Sequence, residues 1–309
     1  MKSATPVRAL LLAAALAAAI LVPAATHAQE LEPRSYSNTP IGLNFLIAGY
    51  AYQTGDVATD PSLPLEDAKV HVHSAVLAYA RSFELFGTSA KADVIVPYSW
   101  LDGTATFLGM PEARKVDGFA DPRFRLQVNL YGAPALTLEE FDTYEQNVII
   151  GATVQVQVPL GQYDDKRAVN IGSNRWVFKP EIGISKAFGP LILEVAPSVA
   201  IFTANDDFFG GKRREQDPVY AVQGHVVYRF GAPLWGSIDG TYYGGGRTTV
   251  DGVEKDDRQS NARVGLTLAL SVSRHHSIKL YASKGAVTRI GGDFDLIGMA
   301  LQYRWGGGL

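Results

Sequence analysis

The sequence predicts an all-β fold: a transmembrane antiparallel up-and-down β-barrel of about twelve strands, preceded by a cleaved signal peptide. Three observations lead there. In Asp121–Tyr131, Arg123, Arg125, Gln127 and Asn129 alternate with Phe124, Leu126, Val128 and Leu130, so an extended strand there has one polar and one apolar face. The same alternation recurs along the chain. The segments that carry it are joined by short turns at one end and long polar loops at the other, the plan of an outer-membrane barrel.

The N-terminus sets the compartment. Lys2 and Arg8 precede the apolar run ALLLAAALAAAILVPAA, and Thr26 and Ala28 place small residues before a cleavage site after Ala28. Residues 1–28 therefore read as a secretory signal peptide and 29–309 as a single barrel domain. The alternative is an uncleaved anchor, but the run is shorter than a comfortable span. The chain has no cysteine, so it has neither an acylation site nor a disulfide framework. Without Lys2 and Arg8 the mature chain is net acidic, which argues against nucleic acid as a partner. Beyond Ala28 the apolar runs are short, as in VIIGATV at 148–154, so a membrane crossing must be made by strands closed on themselves.

Strands are expected over 41–54, 69–81, 89–98, 121–131, 148–158, 176–185, 191–201, 220–230, 234–244, 262–270, 278–283 and 294–305. Val70, Val72 and Val76 oppose Lys69, His71, His73, Tyr79 and Arg81. Val148 to Val158 oppose Thr153, Gln155 and Gln157, and Ile182 and Ile184 oppose Lys179, Glu181 and Ser185. Leu193 and Val195 oppose Glu194 and Ser198, and Val226 and Tyr228 oppose His225 and Arg229. Leu266 and Leu268 oppose Arg263 and Thr267, and Ile278 and Leu280 oppose Lys279 and Tyr281. In a barrel the apolar partners face lipid and the polar ones the lumen. Arg81, Arg123, Arg125, Lys179, Glu181, Glu194, His225, Arg229, Asp239, Arg263 and Lys279 are thus candidates for the solute path or for ion pairs that brace the barrel.

Short turns are expected at Phe86-Gly87, 188–190, 231–233 and 271–277, and long loops at 55–66, 99–120, 160–175, 204–217, 245–260 and 285–293. Residues 132–146 form a longer connection on the short-turn side, where Thr137 and Glu140 have the spacing of a helix capping box. Tyr50, Tyr52, Tyr98, Trp100, Trp176, Phe178, Trp235, Tyr242, Tyr243, Tyr303 and Trp305 lie near strand ends, where interfacial girdles belong. At the C-terminus, Gly298 followed by Leu301, Tyr303 and Trp305 on alternate positions is similar to the signal read by the barrel-assembly machinery, with Gly306–Leu309 as an added tail.

Several strings carry a family resemblance: YQTGDV (52–57), GFADPRFRLQVNLYGAPAL (118–136), IIGATVQVQVPLGQYD (149–164), GSNRWVFKPEIG (172–183), REQDPVYAVQGHVVYRF (214–230), TYYGGGRTTVDGV (241–253) and QSNARVGLTLAL (259–270). Together they resemble the outer-membrane transporter-like family associated with the meta pathway of phenol degradation, over residues 31–305. The resemblance implies a β-barrel in the bacterial outer membrane that moves small, often aromatic or hydrophobic, compounds. It also implies that the loop residues Asn174, Arg175, Glu215, Gln216 and Asp217 matter.

The expected partners are outer-membrane lipid, the assembly machinery and a small-molecule solute. No cofactor, metal or catalytic residue is expected. His71 and His73 share a face without an evident third ligand, and the acidic pairs at 164–165, 206–207 and 256–257 read as solvated loops. YGGGRTTVDG lacks the lysine of a phosphate loop. Ser198, Ser237, His225 and Asp239 supply the atoms of a hydrolase, but their spacing singles out no nucleophile. A channel is the leading reading. A plugged structural or surface-binding barrel, a barrel hydrolase and a soluble exported sandwich are the alternatives.

Overall fold

The computed structural model describes residues 31–56, 65–231, 233–290 and 293–309; residues 1–28, read above as a signal peptide, lie outside them. In chain order the elements are β1 (Leu43–Asp56), β2 (Leu65–Leu85), β3 (Thr88–Phe107), β4 (Met110–Phe119), β5 (Arg123–Tyr131), the helical turn α1 (Leu138–Phe141), β6 (Val148–Gln157), β7 (Val177–Phe188) and β8 (Leu191–Phe202). There follow β9 (Asn205–Phe208), β10 (Lys212–Gln216), β11 (Val219–Gly231), β12 (Leu234–Gly245), β13 (Thr248–Val250), β14 (Val253–Glu254), β15 (Gln259–Ser271), β16 (His276–Val287) and β17 (Asp293–Gly306).

Twelve of these strands pair antiparallel with their neighbours in the order β1, β2, β3, β5, β6, β7, β8, β11, β12, β15, β16, β17. β17 returns to β1, with Leu43 opposite Gly306 and Asp56 opposite Asp293, so the sheet closes and no edge is left. Among the described residues no helix is long and apolar enough to cross a membrane. The crossing is made by strands, whose backbone groups are all paired around the ring.

Alternation fixes the faces. Leu126, Ile182, Leu193, Val226, Leu266 and Leu301 are exposed on the outside, where the solvent is hydrocarbon. Gln127, Glu181, His225 and Asp239 are buried on the inside. A lysine at Leu126, on the lipid face, costs about 2–4 kcal/mol near mid-membrane. Leu126→Lys is therefore expected to lose the heat-dependent gel shift of a folded barrel, whereas Gln127→Ala keeps it; the reverse result would invert the two faces.

Most sequence-derived strands and short turns stand, and Thr137 caps α1 with both capping-box hydrogen bonds to and from Glu140. The backbone N–H and hydroxyl of Thr137 hold the Glu140 carboxyl below its usual range. Three corrections are needed. First, segments read as long loops contain strands: β4 extends a hairpin with the outer part of β3, and β9, β10, β13 and β14 form a separate four-stranded sheet. Beyond the girdle position Phe119 no hydrocarbon demands apolar side chains on one face, so the sequence carries no alternation there that would mark a strand.

Second, β2 is inverted along its length: Val70, Val72, Ser74, Val76, Ala78 and Ser82 face inward, and Leu77, Tyr79 and Arg81 outward. Val70 and Val72 point inward and pack with Leu101 against Val169 and Ile171 of the 158–176 connection, while His71 turns outward and His73 shares its face. There the barrel rim builds a small apolar core with its own loop, and the polar-inside rule no longer applies. His71 and His73 join Tyr50 and Tyr52 on the outer rim, with Tyr52 donating or accepting at His71 Nδ1 over 2.9 Å. Arg81 is likewise exposed on the outside, near the short-turn end, where a long cationic side chain can reach the interface.

Third, the aromatic assignment divides. Tyr79, Tyr303 and Trp305 cluster outside near the short turns, and Tyr98, Trp100 and Phe119 outside near the long loops, the two girdles of a spanning barrel. Trp235 and Tyr243 face inward with Ser237, Asp239 and Thr241. Glycines occupy Gly236, Gly240 and Gly244 on the opposite face of β12, so apolar alternation is too weak there to fix the parity.

Candidate functional site

The lumen is not an open pipe. The segment 31–42, ahead of β1, folds into it and crosses from wall to wall. It leaves β1 along the short-turn rim, where Gly42 N donates to Ser82 O (2.9 Å) and Ile41 N to Leu136 O (2.9 Å). Asn38 Nδ2 reaches Pro134 O. Tyr36 then lies flat on the wall of β6 and β7, over Gly151 and Gly183, which are direct cross-strand partners. A Cβ at Gly183 would stand 1.9 Å from the Tyr36 ring, and one at Gly151 2.4 Å from it. The two glycines make a seat that no other residue leaves free. The Tyr36 hydroxyl donates to Glu181 Oε1 (3.0 Å) and sits 3.1 Å from Thr153 Oγ1. Burial and the Glu181 charge push this phenol up, so it remains a proton donor.

Further in, Arg34 N donates to Glu194 Oε2 (2.6 Å) and its guanidinium covers the Trp235 ring at 5.3 Å. Lys91 Nζ donates to Ser35 O (2.7 Å), and Glu32 N to Gln223 Oε1 (3.2 Å). The Glu32 carboxylate receives both oxygens' bonds from Arg125 Nη1, while Arg125 Nε holds Asp93 at 2.9 Å. Burial works against the charge on Glu32; the positive charges of Arg125, Lys179 and Lys279 outweigh it and hold the carboxyl at about 2. Leu31 ends the described segment against Gly265.

The wall behind the segment is a connected polar network. Gln223 Nε2 donates to Glu181 Oε2 (2.9 Å), His225 bridges Gln223 Oε1 (3.2 Å) and Asp239 Oδ1 (2.7 Å), and Thr267 donates to Asp239 Oδ2 (2.8 Å). Lys179 lies 3.7 Å from Glu181, and Arg263 covers the Phe294 ring at 3.5 Å. Of the predicted lumen residues, Arg123, Arg125, Lys179, Glu181, Glu194, His225, Asp239, Arg263 and Lys279 face inward as expected from alternation. Arg229 is at the short-turn mouth, exposed, and donates to Gly189 O; Arg81 is outside. The His225–Asp239 pair is formed, but His225 Nε2 is engaged by Gln223, so neither serine named with them meets the imidazole. Among the described residues no group of three metal-ligating side chains occurs.

The loop candidates converge at the long-loop end. Arg175 Nη2 donates to Gln216 Oε1 (2.6 Å), Gln216 Nε2 to Gly246 O (2.9 Å), and Asn174 Nδ2 to Asn205 Oδ1 (2.9 Å). Asp217 N donates to Arg247 O, and Glu215 pairs with Arg213. They tie the loops together over the barrel mouth. Gly246 takes φ 69° at this junction, so its glycine run serves turn geometry. At the C-terminus Leu301, Tyr303 and Trp305 face outward, and Gly298 faces inward, where a Cβ would collide with Tyr281.

Two cavities flank the segment. One of ≈ 320 Å³ lies beside it, lined by Glu32, Arg34, Lys91, Asp93, Arg125, Lys179 and Lys279 among others. The larger, ≈ 530 Å³, runs from the segment to the loop cover and has one apolar side, Ile47, Val76, Ala78, Ile95 and Pro97. Sequence reasoning missed the segment, its contact Lys91, and Asp93, which shares Arg125 with Glu32. A signal was present: two inward-facing glycines, Gly151 and Gly183, in strands that pair with each other.

The seat gives a direct test. Gly183→Val should evict Tyr36 and cost the segment about 2 kcal/mol of docking. Trypsin should then cut after Arg34 in the folded barrel, giving a chain that begins at Ser35; protection equal to that of the unaltered protein would count against the seat.

Known structures share this architecture. An outer membrane channel from Pseudomonas putida F1 superimposes with a TM-score of 0.77 at 20% identity, covering 89% of this chain and all (100%) of that one. The transport unit of the autotransporter AIDA-I from Escherichia coli gives 0.51 at 8% identity, covering 90% and 93%. No curated protein matches by sequence. A closed twelve-stranded barrel with an apolar exterior and two aromatic girdles belongs in the bacterial outer membrane. Residues 51–292 match the family described as the MetA-pathway of phenol degradation, and the chain belongs to that family.

Proposed function

We propose that the protein is an outer-membrane channel for small compounds with an aromatic or otherwise apolar part, whose passage is limited by its own N-terminal segment. The observation that carries this reading is the larger cavity: a barrel that needed only rigidity could fill its lumen with paired polar chains, yet here Ile47, Val76, Ala78, Ile95 and Pro97 line open space. The polar network on the other side supplies hydrogen-bonding groups for the polar end of a solute. Similarity to a channel structure supports the same reading.

The pinned segment favours a second reading, a closed structural barrel. Reconstitution in planar bilayers separates them. The channel reading expects a small conductance that is reduced by partly apolar solutes as they occupy the lumen. A barrel that carries no current and gives no liposome flux for any solute overturns it.

A further inference from the structure

We infer that the larger cavity is a binding site for a small amphipathic anion, a carboxylate on a compact apolar body, with Lys279 receiving the carboxylate. This deepens the channel reading and rests on it only in treating the cavity as part of the solute path.

The apolar side is continuous across three strands. Ile47 is paired with Ala78 and Ala78 with Ile95, while Val76 faces Pro97. Gly49, opposite Val76, adds no side chain, so the surface is smooth and offers no hydrogen-bonding side chain. Around its edges stand Arg123, the cross-strand partner of Ile95, and Lys279 and Tyr281 on β16.

Lys279 is the distinctive group. It lines both cavities, yet it makes no ion pair within 4.0 Å among the described residues. The carboxylates nearby make their close contacts elsewhere, Glu32 and Asp93 with Arg125 and Asp239 with His225 and Thr267, and act on Lys279 only through space. Its Nζ lies 5.7 Å from the Tyr281 ring centroid.

A partly desolvated ammonium beside an apolar surface selects its ligand by exclusion. A hydrocarbon would fill the apolar side and leave the ammonium without a direct hydrogen-bonding partner, which is costly away from water. A cation would be repelled. A monoanion with an apolar body satisfies both sides at once, and ≈ 530 Å³ is ample for it.

The probe is benzoate, with benzyl alcohol as its neutral counterpart, in equilibrium dialysis against the full-length folded barrel held in amphipol. The unaltered protein should bind benzoate about tenfold more tightly than benzyl alcohol, the usual advantage of a charged over a neutral hydrogen-bonded contact. Lys279→Met should bring the two within about twofold, and Lys279→Arg should keep the preference. Unheated gel migration shows that each variant is folded. Equal binding of the two probes by the unaltered protein, or an undiminished preference in folded Lys279→Met, overturns the site. A protein that conducts without preferring benzoate sinks the site alone. One that prefers benzoate and loses that preference in Lys279→Met, but conducts nothing, sinks the channel and keeps the site.

Discussion

Deletion of residues 31–38 is expected to raise single-channel conductance several-fold. These residues hold the charged and aromatic groups that cross the lumen, while Thr39–Gly42 stay behind to complete the rim through Ile41 and Gly42. The barrel does not depend on them for closure, because every strand of the ring pairs with another strand and β17 pairs with β1. What they do is fill space: Tyr36 against Gly151 and Gly183, Leu31 against Gly265, and Glu32 between Arg125 and Gln223. Without them the inward glycines and the polar network line water, and ions pass a wider constriction. Selectivity should shift at the same time, since Glu32 leaves and Arg125, Lys179 and Lys279 remain on the wall. Planar-bilayer recordings of the folded deletion variant decide it. Conductance equal to that of the intact protein would mean that the narrowest point is elsewhere, at the loop cover tied by Arg175 and Gln216.

How far the sequence alone reveals this arrangement follows from where lipid acts as a constraint. At Phe124–Leu130 hydrocarbon demands apolar side chains on one face, so parity is written in the residues and the inward Arg123 and Arg125 follow. Where that constraint ends, the writing ends too. Val70, Val72 and Val76 are as apolar as any lipid-facing set, but Val70 and Val72 face a loop and Val76 lines the cavity, so the whole strand has the opposite parity and His71, His73 and Arg81 lie outside. β12 shows a second way of losing the signal, since three outward glycines interrupt the apolar face that Ile238 and Tyr242 begin, and the side of Trp235 and Tyr243 is weakly set. The N-terminal segment is harder still. It has no period, because a chain that threads a polar lumen is held by individual hydrogen bonds and not by a repeating face. Its trace in the sequence lies on the strands that receive it, as glycines at matched inward positions.

Arg125→Met should be the most damaging single change inside the barrel. Arg125 joins two carboxylates through direct hydrogen bonds, Glu32 on the segment and Asp93 on β3. Removing one partner of a buried pair costs about 3–5 kcal/mol, because the remaining charge is left without compensation. Here Glu32 keeps 33% of its side-chain exposure and Arg125 22%, so solvent screening lowers the figure to about 2–3 kcal/mol. That is enough to shift the docked fraction of the segment by at least about thirtyfold. Glu32→Gln should be milder, since Arg125 still has Asp93. Adding Glu32→Gln to Arg125→Met should recover part of the loss, because the uncompensated charge on the segment is gone. Proteolysis after Arg34, read in the four proteins of this cycle, measures the coupling. Acid provides an independent readout. The Glu32 carboxyl is lowered from 4.5 to about 2 in the folded protein, so its contribution is fully present above about 4.5 and is lost as pH falls from there through about 2. The unaltered protein should therefore release its segment in that window, and Glu32→Gln should lose most of the dependence. Strict additivity of Arg125→Met and Glu32→Gln, with the same acid release in both single variants and the parent, would show that this ion pair does not hold the segment in place.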